Sequence, residues 1–370
     1  MTKRRILKSI LSLVLICSLF SFNIFIVNAS YNEALAAQGI EITNTKYSKT
    51  VKTEMSTKIT MSESNLSSLK KDLGKKNLTK YEQNVAILKE LGFEDITISH
   101  MIPEDVEKMF DDSLSVSTTT TYIKANADGI ASTISEQECL TALNELHALK
   151  TTNQETSVQS ANNDGWDSFT SDDGYMRITV SSNYIDPSTI NNQKGYYTYH
   201  VWYEWLIVPN YRLIDGISIS SPVISWDTEN MIGSHYSSMG YDITDINGNS
   251  AHVPTQPKTT TDLTVDESIG VYYTWNLPDN GSNTVNYIQI YMRTRGIITQ
   301  FNQGTAVELY TTYVHTYPYL DLNPELDMTF GWEFTDEDVT FGAAAHLTLN
   351  PQFRVSSTQY KFYTRYIYNP

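Results

Sequence analysis

Cysteine is nearly absent from this sequence: Cys17 and Cys139 are the two in 370 residues. A disulfide framework is therefore excluded as the source of stability, and so is a Cys–His metal cluster. Positive charge is scarce too. Lys and Arg number 26 against 42 Asp and Glu, for a net charge of −16. Such a chain does not hold nucleic acid or anionic lipid by bulk electrostatics. Histidine is sparse, at seven residues. No His-Glu-x-x-His, Gly-x-Ser-x-Gly or phosphate-binding glycine motif occurs, so the common signatures of hydrolases and nucleotide enzymes are missing. Beyond the N-terminus no apolar run is long enough for a membrane-spanning helix.

The N-terminus itself reads as a secretory signal. Lys3, Arg4, Arg5 and Lys8 precede an apolar stretch from Ile10 to Phe22, and Val27-Asn28-Ala29 has the small-residue spacing of a cleavage site. Residues 1–29 are expected to be removed on export. Their loss takes four cations and moves the charge from −16 to −20. Cys139 is then the remaining cysteine, and it sits in an apolar stripe with Ala142, Leu143 and Leu146. It is expected as a small core residue and not as a nucleophile.

What the sequence has in abundance is tyrosine, 25 residues, most of them after Gly174. The stretch Tyr196–Val208 alternates strictly, with Tyr197, Tyr199, Val201, Tyr203 and Trp205 on one face and Thr198, His200, Trp202 and Glu204 on the other. That two-residue period is the mark of a strand. About ten such runs follow Gly165 without helical periods between them. The cleanest pair is Leu326–Phe334 and Val339–Leu349, joined through Thr335–Asp338. The expected fold is mainly β: an antiparallel β-sandwich or jelly-roll-like C-terminal domain, preceded by a small α-helical N-terminal region.

The expected organisation is a signal at 1–29, a flexible arm at 30–60, a small helical region at 61–150, a polar linker at 151–164 and an all-β domain at 165–370. Helix signals in the third segment are specific. Thr79 and Glu82 make a capping box, Gly92 occupies a C′ position before Phe93, and Pro103 opens a further helix. Ser135 with Glu138 caps another.

Candidate chemistry is thin. His200, Trp202 and Glu204 share a strand face and suit a sugar-stacking platform with polar flanks; they are the ligand-binding candidates. His200 and Glu204 lie about 13 Å apart along a strand, too far to share a metal ion. Asp242 to Asn249 has the composition of a calcium loop but lacks its glycine spacing, and Asn247-Gly248 accounts for it as a turn. Asp336-Glu337-Asp338 reads as a solvated acidic turn. No catalytic residue, metal or cofactor is expected.

The expected function is that of a secreted, non-catalytic bacterial protein. Its partner is an extracellular or cell-surface polymer or another protein; nucleic acid is excluded, and no integral membrane segment remains after signal cleavage. A β-barrel pore-forming toxin is a second reading, with Val307–Leu320 as its inserting arm. A secreted carbohydrate-active enzyme with an unmarked carboxylate pair is a third.

Overall fold

A computed structural model describes residues 36–37, 39–125, 131–154, 174–185, 196–208, 214–221, 224–228, 234–245, 247–258, 263–266, 270–278, 284–298, 306–316, 325–334, 339–348 and 357–367. The signal segment, most of the 151–164 linker and the Asp336–Asp338 turn lie outside these residues.

The chain is mainly antiparallel β. Three short strands open it: β1 (Glu41–Asn44), β2 (Lys49–Lys52) and β3 (Ser56–Met61). Residues 41–61 thus form a meander where a flexible arm was expected. Helices α1 (Glu63–Gly74), α2 (Lys80–Glu90), α3 (Asp95–Ser99) and α4 (Pro103–Lys108) follow. The Thr79–Glu82 capping box forms as its spacing requires, and Gly92 takes φ +84° at the end of α2, a conformation that suits glycine. Next come β4 (Ser113–Ala125), β5 (Ala131–Ile134) and α5 (Glu136–Gln154), the helix running into the segment read as linker.

The remaining strands are β6 (Gly174–Ile185), β7 (Tyr196–Ile207), β8 (Ile214–Ser220), β9 (Ile224–Trp226), β10 (Tyr236–Thr244) and β11 (Ser250–Pro257). After them run β12 (Leu263–Asp266), β13 (Gly270–Asn276), β14 (Thr284–Ile298), β15 (Ala306–Thr316), β16 (Glu325–Phe334), β17 (Val339–Thr348) and β18 (Ser357–Ile367).

These strands make one large open sheet in the order β1-β2-β3-β4-β6-β7-β14-β10-β11, a second sheet β12-β13-β8-β15-β18, and a separate hairpin β16-β17. Every pairing is antiparallel. The main core is filled by both sheets. Tyr199, Val201, Tyr203 and Trp205 of β7 bury against Ile217 and Ile219 of β8, Val271 and Tyr273 of β13, and Tyr313 of β15. A second core forms where the helices cover the other face of the large sheet. It joins Leu66, Leu88, Val106 and Phe110 to Trp202 of β7 and Tyr291 of β14.

β7 is therefore buried on both faces. Its partners also span the chain: β4 pairs with β6 along almost its whole length, so residues before and after the linker belong to one sheet. Cutting at residue 164 would strip cover from Trp202, Glu204 and Arg177, all of which face the helices.

Candidate functional site

The three ligand candidates share a face, and all three are covered. Trp202 is 0% exposed and His200 2%. Trp202 meets Phe93 edge-on with ring centroids 4.7 Å apart, and Tyr291 tilts against it at 5.2 Å. An open stacking platform needs an exposed indole face, so Trp202 is core here and not a sugar-stacking surface. A lone sequence cannot reveal this, because the cover comes from α2 and α3, about a hundred residues upstream.

Glu204, also 0% exposed, is the acceptor at the centre of a buried network. Arg177 of β6 lies directly opposite it. The guanidinium donates from Nε to one carboxylate oxygen at 2.9 Å and from Nη2 to the other at 3.0 Å. Thr97 of α3 donates to Oε1 at 2.7 Å, and the Tyr287 hydroxyl donates to the same oxygen. Burial by itself raises the pKa of this carboxyl. The Arg177 charge and these hydrogen bonds more than offset it and hold Glu204 below the usual carboxylate range. Arg177 also pairs with Glu94, both lining a cleft of about 280 Å³ where Lys52 and Glu136 form a second ion pair at 2.7 Å. The network ties β6, β7 and β14 to α3.

His200 stands in a different setting. It lines a polar cleft of about 290 Å³ with Asp105, Asn183, Tyr291 and Arg293. Its Nδ1 lies 2.7 Å from the Tyr291 hydroxyl, while Nε2 is buried with no partner among the described residues. A phenol donating to Nδ1 puts the ring proton on Nε2. Asp105 pairs with Arg293 across 3.5 Å. Burial drives the His200 pKa down to about 3, helped by the Arg293 charge, and burial lowers that of His235 as well.

Those shifts set a pH response. In the unfolded chain a histidine titrates near 6.5. Below that pH the unfolded state takes up protons that folded His200 refuses until about pH 3. Stability is thus complete above pH 6.5 and declines as pH falls, by up to about 1.4 kcal/mol per pH unit per histidine. Urea midpoints measured from pH 7 to 4.5 should fall steadily, and His200→Asn should flatten the slope. Equal slopes in both proteins would contradict a neutral buried His200.

The turn with calcium-like composition is a turn. The Asp245 carboxylate accepts from the backbone of Asn247 and Asn249, each at 2.8 Å, and from the Asn249 side chain at 2.9 Å. Cys139 is free and fully buried, and burial pushes its thiol up to about 11, which suits a core residue.

The hairpin β16–β17 is the other distinctive element. It pairs with neither sheet among the described residues. Its register sets Leu326 opposite Leu347, Met328 opposite Ala345, Phe330 opposite Ala343, Trp332 opposite Phe341, and Phe334 opposite Val339. All of these positions fall on one face. The other face carries Glu325, Asp327, Thr329, Gly331 and Glu333 opposite Thr348, His346, Ala344, Gly342 and Thr340. Each strand has 10 residues. That is about 33 Å of strand, which at the tilt of a membrane barrel covers the roughly 25 Å of an apolar band. The arm expected at Val307–Leu320 is placed differently. Its strand β15 lies inside the second sheet, bonded to β8 on one side and β18 on the other.

Among the described residues no helix is long and apolar enough to cross a membrane. No protein-family model matches the chain. No curated protein matches it either. Among solved structures the chain is similar to one described as a pore forming protein, with 11% identity over 52% of this chain and 92% of that one, at TM-score 0.20. It is also similar to Clostridium perfringens delta-toxin, with 6% identity over 52% and 85%, at TM-score 0.19. A third structure, of manganese lipoxygenase of Gaeumannomyces graminis with part of zonadhesin of Komagataella pastoris, has 8% identity over 53% and 67%, at TM-score 0.20. At these scores no function passes from them to this chain.

Proposed function

We propose that this is an exported, non-catalytic protein that inserts the β16–β17 hairpin into a lipid bilayer and assembles a pore. The observation that carries the reading is the facial division of that hairpin: apolar positions paired with apolar on one face, and charged, hydroxyl-bearing and small residues on the other, over a bilayer's length. A single hairpin cannot close a barrel, so several copies must each contribute one. Closure is also what satisfies the strand edges inside the bilayer. Insertion driven by apolar area is compatible with the acidic chain, since it needs no charge attraction. Export is supported by the charged and apolar segments of residues 1–29. The test is release of a trapped dye from neutral phosphatidylcholine vesicles by the mature protein. Protein that leaves the dye enclosed at micromolar concentration, across vesicle compositions, would defeat the proposal.

The polymer-binding reading retains one specific support, the polar cleft lined by Asp105, Asn183, Arg293 and Arg295. The carboxylate, amide and guanidinium groups of this lining suit a hydroxyl-rich ligand on a cell surface. The two roles are compatible, the cleft capturing a surface polymer and the hairpin entering the membrane. Arg293→Ala should then weaken co-sedimentation with cell walls by about tenfold and leave leakage from bare vesicles unchanged. Unaltered co-sedimentation would remove the cleft from the account.

A further inference from the structure

His100, Asp242 and His252 are separated in sequence and meet in space. His100 caps the C-terminus of α3, and Asp242 and His252 are cross-strand partners on β10 and β11. His100 Nε2 lies 3.1 Å from Asp242 Oδ1, and His252 Nδ1 lies 3.0 Å from the same oxygen. The candidate ligand atoms all fall within 4.8 Å of one another, and among the described residues this is the sole group of three His, Cys, Asp or Glu to do so.

The polarity of His100 is set from behind. Its Nδ1 is 2.8 Å from the Ile96 carbonyl oxygen, which can only accept, so Nδ1 carries the ring proton. In the neutral ring Nε2 then points a lone pair at a carboxylate oxygen that also only accepts. Two lone pairs at this distance call for a cation between them. A proton on Nε2 satisfies that pair by itself, whereas a metal ion satisfies it and also engages the second imidazole nitrogen that converges on the same oxygen. A histidine donating its rear N–H to a carbonyl is the usual outer-sphere arrangement of a metal ligand.

The rest of the setting holds this geometry. His100 is 2% exposed. Thr255 Oγ1 donates to its carbonyl at 2.7 Å, and the Tyr287 ring lies against its own at 4.6 Å. Gly240 leaves the necessary room, since a Cβ there would stand 2.5 Å from Thr255 Oγ1 and 3.3 Å from His100 Cδ2. A β-bulge shifts the β10–β11 register just before Tyr241, which re-aims the residues that follow. His252 and Asp242 are partly exposed, so a fourth position opens to solvent.

We infer that His100, Asp242 and His252 form a binding site for a divalent transition-metal ion of the zinc class. Two imidazoles and one carboxylate suit zinc far better than calcium or magnesium, which require oxygen ligands. Bonds of about 2.0–2.1 Å place tetrahedral ligand atoms about 3.3 Å apart, within a few tenths of the two nitrogen–oxygen separations here. A bound ion would pin α3, and with it the helical cover, to the β10–β11 edge of the large sheet.

The experiment uses untagged mature protein stripped with chelator. Zinc chloride titrated by calorimetry, in competition with a chromophoric chelator, should give one site per chain with a dissociation constant below micromolar. Cobalt(II) should give the visible absorption of a tetrahedral complex. At a hundredfold excess over that constant, zinc should raise Tm by about 4 °C. His252 is partly exposed, so His252→Ala should keep the Tm of the metal-free protein and lose zinc affinity by at least a hundredfold. The inference is overturned if His252→Ala binds zinc as tightly as the unaltered chain, if calcium displaces zinc at equal concentration, or if no ion is bound.

Discussion

Ala343→Arg is expected to abolish vesicle leakage, and Ala344→Arg to leave it largely intact. The two alanines are neighbours on β17, each near the middle of the hairpin. Ala343 pairs with Phe330 on the apolar face, and Ala344 pairs with Thr329 on the polar face. Substituting either adds the same side chain to the same strand, so propensity and net charge change equally. What differs is the side of the sheet. An arginine on the lipid face of a barrel costs about 2–4 kcal/mol near the bilayer midplane, while one facing the lumen meets water. That is roughly a 30- to 1,000-fold loss in insertion for each copy, and a barrel of several copies multiplies it. Dye release, with Tm in solution as a control for folding, reads the difference. If Ala343→Arg retains full activity, the apolar face does not meet lipid and the pore proposal fails.

Glu204→Ala is expected to destabilise the fold by about 3–5 kcal/mol in urea unfolding. The substitution removes the charge that balances buried Arg177 and strands the donors of Thr97 and Tyr287. A large share of a typical net stability of about 5–15 kcal/mol would go with it. Joining it with Arg177→Met should recover most of that loss, because an apolar pair leaves no uncompensated charge. The coupling is the decisive quantity: two single losses that simply add would mean the pair does not interact as the geometry requires. The predicted loss bears on function too. This network anchors α3, which also supplies His100, so weakening it should loosen the helical cover over β7.

Much of the local structure was written in the sequence. The Thr79–Glu82 capping box, the Gly92 turn, the Pro103 helix start and the alternation of β7 and of β16–β17 each depend on residues within one or two turns of helix or one strand. Short-range hydrogen bonding and side-chain period decide such features, and both can be read from spacing. The apolar and polar faces of the hairpin were legible for that reason, as was the mainly antiparallel β character.

Tertiary structure alone decided which faces are covered. Alternation marks Trp202, His200 and Glu204 as one face of β7, but their burial comes from Phe93, Thr97 and α4, packed there by contacts across about a hundred residues. Arg177 reads as one cation among many until β6–β7 register sets it opposite Glu204. The His100–Asp242–His252 cluster is likewise invisible in order, its members separated by 142 and 10 residues. Spacing reveals a metal site when a single helix or loop supplies the ligands. Here a helix end, β10 and the edge strand β11 supply the three side chains, and only the fold brings those elements together.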